Sequence, residues 1–278
     1  MMQKEEIMKR IGIVFVVLFG LSMLHAQKPE IKRIEQDISE LHRVDYPVFQ
    51  KGERIEYLVH YGIVDAGKAV IEIKNETHYY GSREALHVVG KGRSVGAFDW
   101  VFKVRDTYES FIDAKNIHPY EFKRDVSEGG YEFKQHYKFE HDENKVKTEK
   151  GEVKRVPYGI QDMISAFYFA RTLDLSKYEK GEIIVLQAFM DGKIEPLKIR
   201  YTGRETIKTK AGKFRCLKFE PIVQPGRVFD EPGDLTVYIT DDKNRIPVLA
   251  KAGILVGSIK MELTDYSQLS HPVALVSK

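Results

Sequence analysis

From Glu53 onward the chain alternates apolar and polar positions with a period of two. Ile55, Tyr57, Val59 and Tyr61 interleave with Glu56, Leu58 and His60. Further on, Tyr131, Phe133, Tyr137 and Phe139 share one face against Glu132, Lys134, His136 and Lys138. Successive side chains of a strand point to opposite faces, so each run predicts a half-buried strand. Phe102, Val104, Tyr108 and Ile112 repeat the pattern, as do Leu235, Val237 and Ile239, and the stretch from Phe98 to Val104 reads as strand. Turn signals punctuate the runs at Glu128-Gly129-Gly130, Lys150-Gly151, Asp191-Gly192, Ala211-Gly212 and Asp241-Asp242-Lys243-Asn244. About fourteen short strands with hairpin-length connections predict a mainly β fold: a curved antiparallel sheet, barrel-like or a sandwich. There is no βαβ rhythm, which argues against a doubly wound nucleotide fold.

Two segments depart from period two. Gln161 to Arg171 opens on Asp162, a capping residue, and is apolar nearly all the way round. A helix apolar on every side must be buried on every side, which places it inside the concave face of the sheet or between the two halves of the chain, as a plug or as the wall of a ligand cavity. Glu30 to Val44 carries Ile31, Ile34, Ile38 and Leu41 at steps of three and four and predicts a short helix. The strand Glu182 to Met190 is apolar on both faces and is expected in mid-sheet, whereas the polar hairpin from Lys145 to Val156 is expected to protrude.

The N-terminus supplies an address. Lys9 and Arg10 precede an uncharged run of 14 residues, Ile11 to Leu24, followed by Ala26 and a charged stretch. The run is too short to span a bilayer and matches a secretory signal cleaved after Ala26. The expected organisation is a signal over 1–26, a leader over 27–48, a single β-rich domain over 49–266 and a C-terminal tail over 267–278. The expected location is the periplasm or another exported compartment, with no later transmembrane helix. Lipid anchoring would need a Cys at the cleavage site, and the single Cys, Cys216, sits in the alternating strand Phe214 to Phe219. It is read as a small buried apolar residue.

Composition narrows the function. With 44 Lys+Arg against 41 Asp+Glu, the chain lacks the excess of positive charge that meets phosphates, so no nucleic-acid partner is expected. Gly92-Arg93-Ser94-Val95-Gly96 fits the nucleophile-elbow pattern, which needs a strand–turn–helix setting; with strand expected after it, it reads as a glycine-rich loop between strands. The nine His show no metal-ligand spacing, and His136 and His141 lie five apart. Neither a metal, a cofactor nor catalytic residues are expected. Gly96-Ala97-Phe98-Asp99-Trp100 holds the only Trp beside glycine-rich chain, a setting suited to stacking on a sugar or insertion into an amphiphile, although packing of both rings into the sheet core is the stronger expectation. The candidate ligand-binding residues are Phe98, Trp100, Tyr108, Phe167 and Tyr168.

Several segments carry a likeness: Tyr61-Gly62-Ile63 with Ala66-Gly67; Arg105-Asp106-Thr107-Tyr108-Glu109-Ser110; Gln161-Asp162 with Ser165-Ala166-Phe167-Tyr168; Gly203 to Lys208; Gly212 to Phe219; and Thr240-Asp241-Asp242-Lys243-Asn244-Arg245-Ile246-Pro247. Over about Lys51 to Asp265 the sequence resembles the bacterial family called domain of unknown function 3108. The resemblance implies an exported, β-rich protein of a Gram-negative envelope and supplies no activity. The leading functional expectation is an envelope binding or carrier protein for a lipid or other amphiphile, without catalysis. The alternatives are a structural or assembly partner of another envelope protein, or a hydrolase of a surface polymer.

Overall fold

The computed structural model describes residues 38, 41–222, 235–253 and 257–277. The signal segment and most of the leader lie outside these residues. Of the leader, Arg43 forms an antiparallel bridge with Leu173.

The chain builds strands β1 (Arg54–Tyr61), β2 (Val64–Ile73), β3 (His78–Tyr80) and β4 (Arg83–Ser94), then helix α1 (Gly96–Val101). Strands β5 (Arg105–Asp113), β6 (Pro119–Glu128), β7 (Tyr131–Glu140), β8 (Lys145–Thr148) and β9 (Val153–Arg155) follow, and then helix α2 (Met163–Arg171). The second half holds β10 (Ile183–Met190), β11 (Lys193–Thr209), β12 (Gly212–Pro221), β13 (Leu235–Thr240), β14 (Pro247–Gly253), β15 (Ser258–Ser267) and β16 (Leu275–Ser277). All the strands belong to one antiparallel sheet, ordered β10-β11-β12-β13-β14-β15-β1-β2-β4-β5-β6-β7-β8-β9, with β3 on β4 and β16 on β12. The fold is mainly β and barrel-like, and its sheet is not closed by a continuous ladder.

The two flanks of this sheet curl toward each other. The Phe189 ring of β10 meets the Tyr137 ring of β7 edge-on at 4.9 Å. In the β10–β11 turn, the Gly192 amide donates to the Tyr137 hydroxyl at 2.9 Å, and Arg124 of β6 donates to Asp191 at 2.6 Å. Strand β10 is therefore an end of the hydrogen-bonded order, not the mid-sheet strand that its apolar sequence suggests. Its apolar character has another cause. Gln161 pairs with Ala188 in a parallel bridge, donating to the Gln187 carbonyl at 3.0 Å and accepting from the Phe189 amide at 2.7 Å. An edge covered in this way does not need charges to keep other chains off. At the far end, all three residues of β9 are exposed, in keeping with its largely polar sequence.

Helix α2 packs against β5 and β10 and occupies the concave side, with Met163, Ile164, Ser165, Ala166, Tyr168, Phe169 and Arg171 buried. Asp162 caps it, accepting from the amides of Ile164 and Ser165, and the Ser165 hydroxyl accepts from the Asp162 amide in return. Ser110 of β5 donates to the same carboxylate at 2.6 Å and fixes the helix to the wall. The other end is held by charge. Arg171 donates to Glu53 at 2.6 and 2.8 Å, the two side chains being 2% and 0% exposed. The guanidinium lies over the rings of Phe49, Phe167 and Tyr168 at 5.2, 5.5 and 5.0 Å. It also donates to the Asn244 carbonyl at 3.0 Å. Arg245 donates to the carbonyls of Arg171 and Leu173 at the helix exit. The Asp241–Asn244 turn is formed as expected, with Lys243 exposed, and its buried last residue, Asn244, ties the β13–β14 connection to α2.

Candidate functional site

Strand β4 runs out at Ser94, and Gly96, with φ of +57°, turns the backbone into α1. Phe98 to Val101 is therefore helix and not strand. The glycine motif does sit in a strand–turn–helix setting, but its serine is a staple. Ser94 is buried; its hydroxyl donates to Asp99 and accepts from the Val104 amide at 2.8 Å. Arg105 closes the turn with two bonds to Asp99, at 2.7 and 3.0 Å. Those bonds, with the one from Ser94, hold the Asp99 carboxyl down to about 2. A short helix without a buried residue of its own is pinned in this way by one hydroxyl and one guanidinium.

The pinned helix carries the apolar surface of the site. Trp100 is 93% exposed, and Val101 beside it is also exposed. Phe98 is half-buried against Tyr61, with ring centroids 6.3 Å apart. The helix lies against β2, whose entry from β1 presents Ile63, 100% exposed, and Val64. Large exposed apolar groups on these neighbouring segments make this rim a candidate interaction surface.

A row of cations borders this lip. Lys68 on β2 lies directly opposite Arg93 on β4, and Arg93 directly opposite Arg105 on β5. All three are exposed on the outer face. Like charges directly opposite on adjacent strands destabilise a sheet. Arg105 is neutralised by Asp99, whereas among the described residues neither Lys68 nor Arg93 has an ion-pair partner. Such an arrangement suits an anionic counterpart supplied from outside.

The five residues singled out from sequence divide among three places. Phe98 and Trp100 are on the lip. Tyr108 is buried in the β5 wall, and burial raises its hydroxyl far above the ordinary range. Phe167, half-buried, and Tyr168, buried, meet edge-on at 5.1 Å and form the ring cage of Arg171. The cation row was missed. Alternation puts Lys68, Arg93 and Arg105 on outward faces, but their adjacency follows from the β2–β4–β5 register, which no single segment contains.

A pair of acids also lies in the wall. Asp106 is 2% exposed, accepts from the Ser127 amide at 3.0 Å and faces Glu128. Burial, and then the Glu128 charge, push Asp106 up to about 8, and burial raises Glu128 as well. The folded pair thus retains a proton at neutrality that the unfolded chain releases. Its stabilising contribution is complete below about pH 4, the ordinary carboxyl range, and is lost as pH rises through about 8. The unfolding midpoint of the wild type is expected to fall between about pH 6 and pH 9. In Asp106→Asn that slope should flatten, as read by thermal unfolding across the pH series. An unchanged slope would remove the shared proton from the account.

No curated protein matches the chain significantly. Among solved structures, the beta-barrel-like protein of domain of unknown function DUF1849 from Brucella abortus aligns at 12% identity and a TM-score of 0.51, covering 80% of this chain and 100% of its own. A protein with a YmcC-like fold from Bacteroides fragilis aligns at 12% identity and a TM-score of 0.35, covering 79% of this chain and 97% of its own. At such identity the first likeness is one of fold. The family model described as Protein of unknown function (DUF3108) matches residues 56–264, and the chain belongs to that family.

Proposed function

We propose that the protein is an exported, non-catalytic binding or carrier protein of the cell envelope that takes an anionic amphiphile on the α1 lip. The observation that carries this reading is the exposed Trp100 beside the Lys68–Arg93–Arg105 row. Tryptophan favours a place where one side is apolar and the other wet, and a line of cations beside it complements a phosphate or carboxylate headgroup. The basic and apolar N-terminal segment, Lys9 to Leu24, supports export. Helix α2 occupies the concave side, so the amphiphile is held at the rim. Phe98 and Trp100 are its contacts, and Tyr108, Phe167 and Tyr168 shape the wall and helix behind them.

Flotation with vesicles tests this. The chain is expected to float with phosphatidylglycerol vesicles at low salt and far less with phosphatidylcholine. Each cation near an anionic surface contributes about 1 kcal/mol, so Lys68→Gln with Arg93→Gln should weaken binding by about thirtyfold. Trp100→Ser should weaken binding to both vesicle types. Equal flotation with either lipid, or no effect of the paired Gln variant, would contradict the proposal. Crosslinking from the lip to another envelope protein in intact cells, with no flotation, would favour an assembly role.

A further inference from the structure

Away from the lip, a second group of side chains converges. The histidines carry no metal spacing in sequence, but pairing of β3 with β4 sets His78 opposite Ala85, two residues from His87 on the same face. The turn between β2 and β3 then delivers Glu76. His78 Nε2 and His87 Nδ1 both lie at hydrogen-bond distance from one oxygen, Glu76 Oε1, at 2.9 and 2.6 Å. One ligand atom from each residue falls within 4.8 Å of the others.

We propose that Glu76, His78 and His87 form a binding site for a divalent first-row transition ion, with Zn²⁺ the best fit. Two imidazoles with one carboxylate are the borderline donor set that zinc prefers over the all-oxygen set of calcium or magnesium. Tetrahedral bonds of about 2.0–2.1 Å place ligand atoms about 3.3 Å apart, so small side-chain rotations complete the site. Glu76 and His78 are accessible, which leaves the fourth position to water.

Two independent features show that the site is built and not a chance ion pair. The remaining nitrogen of His87, Nε2, lies 2.8 Å from the Glu109 carboxylate on β5. A ligating imidazole nearly always donates its second N–H in this way, which fixes the ring and raises its basicity. Both rings also rest on one platform, Phe111: His87 stacks on it at 4.3 Å and 9°, and His78 meets it edge-on at 5.0 Å. The turn that carries Glu76 is tied at each side. The Lys74 amide donates to the His87 carbonyl at 2.8 Å, and Lys51 donates to the Thr77 hydroxyl at 2.6 Å. The donors are therefore held in place before any ion arrives.

The test is zinc titration by calorimetry on the chelator-stripped chain carrying no polyhistidine tag, with Co²⁺ absorption as a second readout. One Zn²⁺ per chain is expected, with visible Co²⁺ bands that Zn²⁺ displaces. Both signals should vanish in His78→Ala with His87→Ala. Glu109→Gln should weaken binding by about 10- to 100-fold without abolishing it. Glu76 lies on an exposed turn, so Glu76→Gln keeps the fold, checked by circular dichroism, and should lose most of the affinity. Absence of saturable zinc binding, or wild-type binding by Glu76→Gln or by the double His variant, would overturn the proposal.

Discussion

Arg171→Met is expected to destabilise the protein by about 3–5 kcal/mol, because it strands Glu53 as a buried charge without its partner. Glu53 is 0% exposed and accepts both guanidinium bonds. Removing the guanidinium also empties the space between Phe49, Phe167 and Tyr168 and frees the Asn244 carbonyl. Glu53→Gln should cost a similar amount by stranding the cation. The paired change Glu53→Leu with Arg171→Met should recover much of the loss, since apolar replacement of a buried ion pair is often neutral or stabilising. Urea unfolding of the three variants decides the matter. Equal losses in the single and paired variants would show that packing, and not charge, dominates at this end of α2.

Phe189→Ala is expected to cost about 3–5 kcal/mol, the usual range for truncating a buried aromatic ring. Phe189 is 1% exposed and closes the approach of β10 to β7 through Tyr137 and Phe139, at 4.9 and 6.5 Å. No strand ladder joins β10 to β7, so ring packing, with the Gly192 amide on the Tyr137 hydroxyl, carries the approach of the two flanks. Tyr131→Ala is the control: it removes a half-exposed ring at the start of the same β7 and should change stability by no more than about 0.5 kcal/mol. Chemical denaturation of both variants measures the difference. A loss below about 1 kcal/mol for Phe189→Ala would mean that the barrel-like curl does not depend on this contact.

Much of the architecture could be read from residues close in sequence. Tyr137 and Phe139 face inward and Lys138 outward, as period two requires, and the turns at Gly129-Gly130 and Asp191-Gly192 fall between the strands they were expected to join. Asp162 caps α2, and the helix is buried on nearly all sides. Cys216 is a buried strand residue. What escaped depends on contacts between distant segments. Glu53 and Arg171 are 118 positions apart, so neither announces a buried ion pair. The six residues of α1 have no helical period long enough to recognise, and a serine and an arginine that lie outside the helix hold it. Strand β10 looked central because its edge is covered by Gln161, from a segment that is not itself a strand. The cation row and the paired histidines each need the register of neighbouring strands, and a one-residue slip would move every one of those side chains to the other face.

Trp100 is the only tryptophan in the chain, so its emission reports the lip alone. Adding phosphatidylglycerol vesicles at low ionic strength is expected to shift this emission to the blue and to shield it from acrylamide. Salt, or the change of Lys68 and Arg93 to Gln, should reverse both effects. Emission that stays at its fully exposed value at saturating vesicle concentrations would contradict the claim that the lip binds an anionic amphiphile.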